Sequence, residues 1–124
     1  MSFEEAQEFW NDIIPETRRR DRIFVSFPFA SNPVRNKLLN LELLYVLRDT
    51  YPSKLFISPL ELFNYLQSEE GIRDDIMEFC KGLISYLCDE VWSFGESEGV
   101  VTEREYAKRA GVPVYIKNIK EYLK

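Results

Sequence analysis

The chain contains no histidine. That absence removes Ser–His–Asp and Cys–His catalysis, together with the commonest metal ligand. Cysteine is scarce: Cys80 and Cys88 are the only two in 124 residues, and they lack the CxxC spacing of a zinc or dithiol site. Two buried thiols in a reducing cytoplasm are expected, with no metal and no cofactor. No apolar run approaches the ~18 residues of a membrane-spanning helix. The opening Met1-Ser2-Phe3-Glu4-Glu5 is acidic rather than leader-like. These features predict a soluble, cytoplasmic protein with no membrane partner. Positive charge is also short, with 16 Lys and Arg against 21 Asp and Glu, a net charge of −5. A nucleic-acid polymer needs a basic face, so it is not an expected partner.

Apolar residues make up 45% of the chain and aromatics 15%, which argues for one folded domain with a real core. Ser2 and Glu5 form a capping box ahead of Phe3, Ala6, Phe9, Trp10 and Ile13 or Ile14 at helical spacing. Pro15 ends that helix. The basic cluster Arg18-Arg19-Arg20 with Arg22 reads as a solvated linker, so residues 1–21 stand apart from a domain over 22–124. The aromatic stripe of the first helix, with Phe3, Phe9 and Trp10, reads as core or as a homodimer contact.

From Ile23 the chain alternates strands and helices. Ile23 to Phe27, Lys54 to Ile57, Glu90 to Phe94 and Val112 to Ile116 have the β-branched and aromatic make-up of buried strands. Asn32 or Ser31 with Pro33 starts a helix whose apolar stripe is Leu38, Leu41, Leu44, Tyr45 and Leu47. Ser58-Pro59-Leu60-Glu61 caps a shorter helix to Gln67, and the polar break Ser68-Glu69-Glu70-Gly71 precedes a longer one from Ile72 to Leu87. Thr102 and Glu105 form another capping box, which predicts a helix starting at Glu103, with Gly111 beyond its C-terminal end. Lys117 to Lys124 reads as a last helical turn or two. Apolar strands separated by helices predict an α/β fold: a three-layer, Rossmann-like or flavodoxin-like sandwich around a four-stranded parallel sheet. Ligands of such sheets bind at the carboxyl ends of the strands. The loops from Pro28 to Pro33, at Ser58-Pro59 and from Gly95 to Thr102 should therefore meet there.

A strand, a glycine-containing loop and a helix start form one half of an anion site, because backbone N–H groups at the helix start are free. For Glu103, placed in that first turn, two readings stand. One is a carboxylate complementing the helix dipole, which would favour its ionised form. The other is chemistry.

Three segments resemble the nucleoside 2-deoxyribosyltransferase superfamily, in particular its small phage and bacterial branch. They are Phe24-Val25-Ser26-Phe27-Pro28-Phe29 with Asn36; Ser58-Pro59-Leu60 with Phe63 and Leu66; and Cys88 to Gly95, followed by Ser97-Glu98-Gly99, Glu103, Tyr106-Ala107 and Gly111 to Val114. The resemblance implies that Glu103 attacks the anomeric carbon of a deoxyribosyl group and releases the base. The Ser97-Glu98-Gly99 segment is also similar to that of deoxynucleoside 5′-monophosphate N-glycosidases. This likeness implies that Ser97 and the Gly99 backbone hold a 5′-phosphate, while Pro28 and Phe29 border base and sugar. Asn36, Glu98 and Tyr106 join the expected substrate-binding set. The family's aspartate, eight positions before Asp89, is replaced by Lys81, and Glu78 one turn earlier is the expected substitute acid. Carboxylate chemistry of this kind needs neither metal nor histidine. The expected partner is a small nucleoside or nucleotide, cleaved at its N-glycosidic bond. A crevice that binds the nucleotide without turning it over is the alternative, motivated by Lys81.

Overall fold

The computed structural model describes residues 2–6, 8, 21–29, 31–63 and 72–123. Strands β1 (Asp21–Ser26), β2 (Lys54–Ile57), β3 (Glu90–Phe94) and β4 (Val114–Lys117) form one sheet in the order β2-β1-β3-β4. Every pairing is parallel. Helices α1 (Pro33–Thr50), α2 (Pro59–Leu62), α3 (Ile72–Gly82) and α4 (Glu98–Arg109) connect the strands, and a short 3-10 turn, Ile119–Glu121, follows β4.

The strands carry the sandwich because both of their faces are apolar. Ile23, Val25, Phe56, Trp92 and Phe94 alternate onto one face, where Leu43, Leu44 and Leu47 of α1 and the C-terminal Ile119, Tyr122 and Leu123 pack. Phe24 and Val91 point to the other face, against Cys80 of α3, Ile84, Cys88 and Ala107 of α4. The fold is thus a three-layer α/β sandwich of Rossmann or flavodoxin type. Strands β2 and β3 flank β1 on opposite sides, so the order reverses beside β1. That reversal opens a crevice at the carboxyl ends of β1 and β3.

Helix α1 lays only Leu44 and Leu47 of its expected apolar stripe on the sheet. Leu38, Leu41 and Tyr45 are 59%, 51% and 76% exposed, while Asn36 and Asn40 are buried. The asparagines decide the orientation through their hydrogen bonds. Asn36 Nδ2 donates to Phe29 O and Ser31 Oγ, both at 3.1 Å, and Asn40 Oδ1 accepts from Ser58 Oγ at 2.9 Å. Amides left facing solvent would forfeit these anchors to the loops after β1 and β2.

Two other differences lie at element ends. Helix α3 does not continue uniformly to Leu87; it widens into a π turn over Leu83–Leu87, closed by Cys88 N donating to Leu83 O at 2.9 Å. Strand β4 begins at Val114 rather than Val112, after Pro113, which has no N–H to donate. The N-terminal capping box is present, with Glu5 N donating to Ser2 Oγ at 3.1 Å. Phe9, Trp10, Pro15, the Arg18-Arg19-Arg20 cluster and the segment from Gln67 to Gly71 lie outside the described residues.

Gly95, at the end of β3, is held at φ 78°, and a Cβ built there would lie 2.6 Å from Pro28 Cγ. Both the left-handed backbone and the proline ring require glycine. Gly82 has ordinary helical angles and nothing within 4 Å of an added Cβ. Gly95→Ala should therefore lower the urea unfolding free energy by at least about 1–2 kcal/mol. Gly82→Ala should raise it by about 0.5–1 kcal/mol, so the two alanines should shift the unfolding midpoint in opposite directions.

Candidate functional site

A cavity of about 260 Å³ lies where the loops after β1, β2 and β3 converge. Phe27 and Phe29 follow β1, Pro59 and Leu60 follow β2, and Ile76, Met77 and Cys80 come from α3. Ser97, Glu98, Gly99 and Glu103 close it from α4 and its cap. The site therefore has aromatic and aliphatic walls with one polar corner, the usual construction of a small-ligand pocket.

Helix α4 begins earlier than its sequence suggests. Ser97 is the N-cap, its Oγ accepting from Val100 N at 3.3 Å. Thr102 lies inside the helix, where its Oγ1 donates to Glu98 O at 2.8 Å. Two capping residues compete here, and the one adjoining the Gly95 turn wins. Glu103 consequently sits in the second turn, away from the free N–H groups. The expected stabilisation of its charge by the helix dipole does not apply, because that effect fades within the first turn.

The electrostatics of Glu103 are instead set by burial. The residue is 7% exposed, and loss of water pushes its carboxyl up from 4.5 to about 7. Ser26 Oγ donates to Glu103 Oε1 at 2.8 Å, and the Cys80 thiol also hydrogen-bonds the carboxyl. Both bonds favour the carboxylate but do not overcome desolvation. Burial and the neighbouring Glu103 carboxyl in turn push the Cys80 thiol far up. Ser93, the β3 partner of Ser26, brings a second buried hydroxyl to this end of the sheet, and that hydroxyl has no hydrogen-bond partner among the described residues.

The other expected site residues divide into those at the cavity and those that support it. Ser97, Glu98, Gly99, Phe29 and Glu103 line it together. Pro28 packs on Gly95 and is not among the lining residues. Asn36 holds the loop of Phe29 and Ser31 from behind rather than facing the cavity. The Tyr106 hydroxyl hydrogen-bonds Ser85 Oγ at 2.6 Å and its ring packs under α3, so it is structural.

Glu78 does not supply a second acid. Its side chain is 72% exposed and pairs with Lys81 at 3.0 Å. Lys81, whose ammonium also lies over the Tyr106 ring, is not a lining residue either. The π turn explains both displacements. It places an extra residue between α3 and Asp89, so a count back from Asp89 is rotated off the inner face. Cys80 stands there instead. Asp89 itself is structural, accepting from Arg22 N at 2.7 Å and drawing Cys88 and β3 against β1. The bond from Arg22 N, foremost, holds the Asp89 carboxyl below its ordinary value.

Ser26 and Cys80 escaped the sequence reading, although each left a trace. Ser26 is the one hydroxyl in the apolar run Ile23 to Phe27, placed at the strand's carboxyl end. Cys80 lies four residues after Ile76, on the stripe that packs inward. Among the described residues, no group of three or more His, Cys, Asp or Glu side chains is arranged to hold a metal ion. No helix among them is long and apolar enough to cross a membrane. Family models and curated proteins give no match to this chain.

The raised Glu103 value has a direct consequence for stability. Between pH 4.5 and about 7 the folded chain retains a proton that the unfolded chain has lost. Glu103 therefore makes stability fall as pH rises through that window. Glu103→Gln keeps the hydrogen bond from Ser26 but cannot ionise. Thermal melts should show the variant gaining on the wild type between pH 5 and pH 8, by roughly 4 °C for each kcal/mol of ionisation cost removed. Parallel curves over that range would show that Glu103 is not held protonated.

Proposed function

We propose that the cavity cleaves the N-glycosidic bond of a nucleoside or its 5′-monophosphate, with Glu103 as the group that meets the anomeric carbon. The observation that carries this reading is Glu103 itself: a buried carboxyl fixed by Ser26 at the polar corner of an otherwise apolar cavity. A carboxylate in that setting is poorly solvated and rigidly aimed, as a nucleophile or an oxocarbenium stabiliser should be. The aromatic walls, Phe27 and Phe29, suit a planar base. The start of α4 at Ser97-Glu98-Gly99 suits a phosphate, since the first N–H groups of a helix point outward. The resemblance to deoxyribosyltransferases and N-glycosidases supports the same assignment.

In the proposed reaction the ionised Glu103 oxygen bonds to the anomeric carbon as the C–N bond breaks. The bonding pair leaves with the base, which takes a proton. That proton comes from water, which reaches the cavity beside the exposed Glu98. Water or a second base then displaces the sugar from Glu103. The binding-only alternative rested on Lys81 as a cation for the ligand, and Lys81 is turned instead to Glu78 and Tyr106.

Attack needs the ionised form of Glu103, so kcat/KM should rise with pH through about 7, the value to which burial pushes the carboxyl. Base release should be measured chromatographically across the common nucleosides and their 5′-monophosphates. Wild type should release free base from at least one, and Glu103→Gln should be slower by at least ~1,000-fold. Ser97→Ala should raise KM for the monophosphate far more than for the nucleoside. No base from any of these substrates would overturn the proposal.

A further inference from the structure

The outer face of α1 carries large apolar side chains that stand exposed. Val34, Leu38, Leu41 and Tyr45 are 73%, 59%, 51% and 76% exposed. Their spacings of four, three and four residues align them in one stripe along the helix. The stripe lies opposite the buried side chains Asn36, Asn40, Leu43, Leu44 and Leu47. Leucine at surface positions of a long helix is ordinary when scattered, but a continuous stripe over three turns marks a contact surface.

We propose that this face is a two-fold interface between two copies of the chain, packed as an antiparallel α1–α1′ pair. The stripe is self-complementary about a point midway between Leu38 and Leu41. A two-fold axis there sets Leu38 against Leu41 of the second copy and Val34 against its Tyr45, so one surface serves both partners, as an isologous contact requires.

The charges beside the stripe choose both the partner and the direction. Arg35 and Glu42 are exposed, lie two turns apart on the same flank of α1, and make no ion pair among the described residues. In the antiparallel arrangement the same flanks of the two helices adjoin. Arg35 of one copy then comes within about 3 Å, along the axis, of the level of Glu42 of the other. The pair forms twice. A parallel arrangement would instead bring Arg35 to within a similar distance of the second copy's Lys37, setting like charges together. The antiparallel pair also opposes the two helix dipoles. A single helix pair buries less than the ~800 Å² per partner of a standard stable interface, so the dimer forms in the micromolar range.

Sedimentation equilibrium of the full chain, from about 1 to 200 μM, tests this. A reversible monomer–dimer equilibrium is expected, with the monomer at 14.7 kDa. Leu38→Glu and, separately, Val34→Lys should each weaken dimerisation at least tenfold while leaving the far-UV circular dichroism unchanged. Glu42→Arg alone should weaken it, and Glu42→Arg combined with Arg35→Glu should restore it; that rescue is not expected if these residues only stabilise the fold. Monomer alone across the whole range would overturn the proposal and assign the face to a different protein. A dimer insensitive to all four substitutions would overturn it in favour of another surface, such as the N-terminal helix with Phe3. Neither result bears on base release, which is tested separately.

Discussion

The structure turns on one hydrogen bond, from Ser26 Oγ to Glu103 Oε1 at 2.8 Å. It joins the carboxyl end of β1 to the second turn of α4, across a sheet face that is otherwise apolar. An ionised carboxyl removed from water is costly unless hydrogen bonds compensate it. Ser26 and Cys80 compensate only in part, and the carboxyl is left near neutrality in its affinity for a proton. A group in that condition is poised rather than satisfied, which is why active sites rather than cores usually contain one.

The remainder of the crevice serves to hold that carboxyl against a space that a ligand can enter. The strand order places β1 and β3 side by side where the connections diverge, so the loops after them open instead of closing over the sheet. Pro28 lies so close over Gly95 that an added Cβ would meet its ring at 2.6 Å, which ties the loops after β1 and β3 together. Asn36, reaching back from α1 to Phe29 O, fixes the aromatic wall. None of these three touches the cavity, yet each determines where a lining side chain stands. The exposure of Leu38 and Leu41 has the same origin: the asparagines of α1 are committed to the loops, which turns these two leucines to the outside.

The layered fold was legible in the sequence because it depends on patterns that span many residues. Four apolar strands, each followed by a capped segment, permit little besides a parallel sheet covered on both sides. The site was legible in part. Ser97, Glu98, Gly99, Phe29 and Glu103 share one cavity, as their positions after the strands implied. Single-residue competitions were not legible. Thr102 and Ser97 are both good caps, and only the turn at Gly95 shows which one is used. The π turn at Leu83–Leu87 has no sequence signature, and it throws off only the count back from Asp89, which falls on Lys81 rather than on the inward-facing Cys80. In α1 the expected stripe held at Leu44 and Leu47 but not at Leu38, Leu41 and Tyr45, because two buried amides with specific partners turn those three outward.

Everything in the crevice depends on Glu103 being a desolvated carboxyl, pushed by burial toward proton exchange near neutral pH. Carbon-13 NMR of the glutamate side-chain carboxyls, with Glu103 assigned by its disappearance in Glu103→Gln, reads that proton without any assumption about substrate. A midpoint near 7 is expected for this one resonance, the value to which burial pushes the carboxyl. A midpoint at the ordinary glutamate value of about 4.3 would contradict it, since a freely solvated Glu103 is neither buried nor poised.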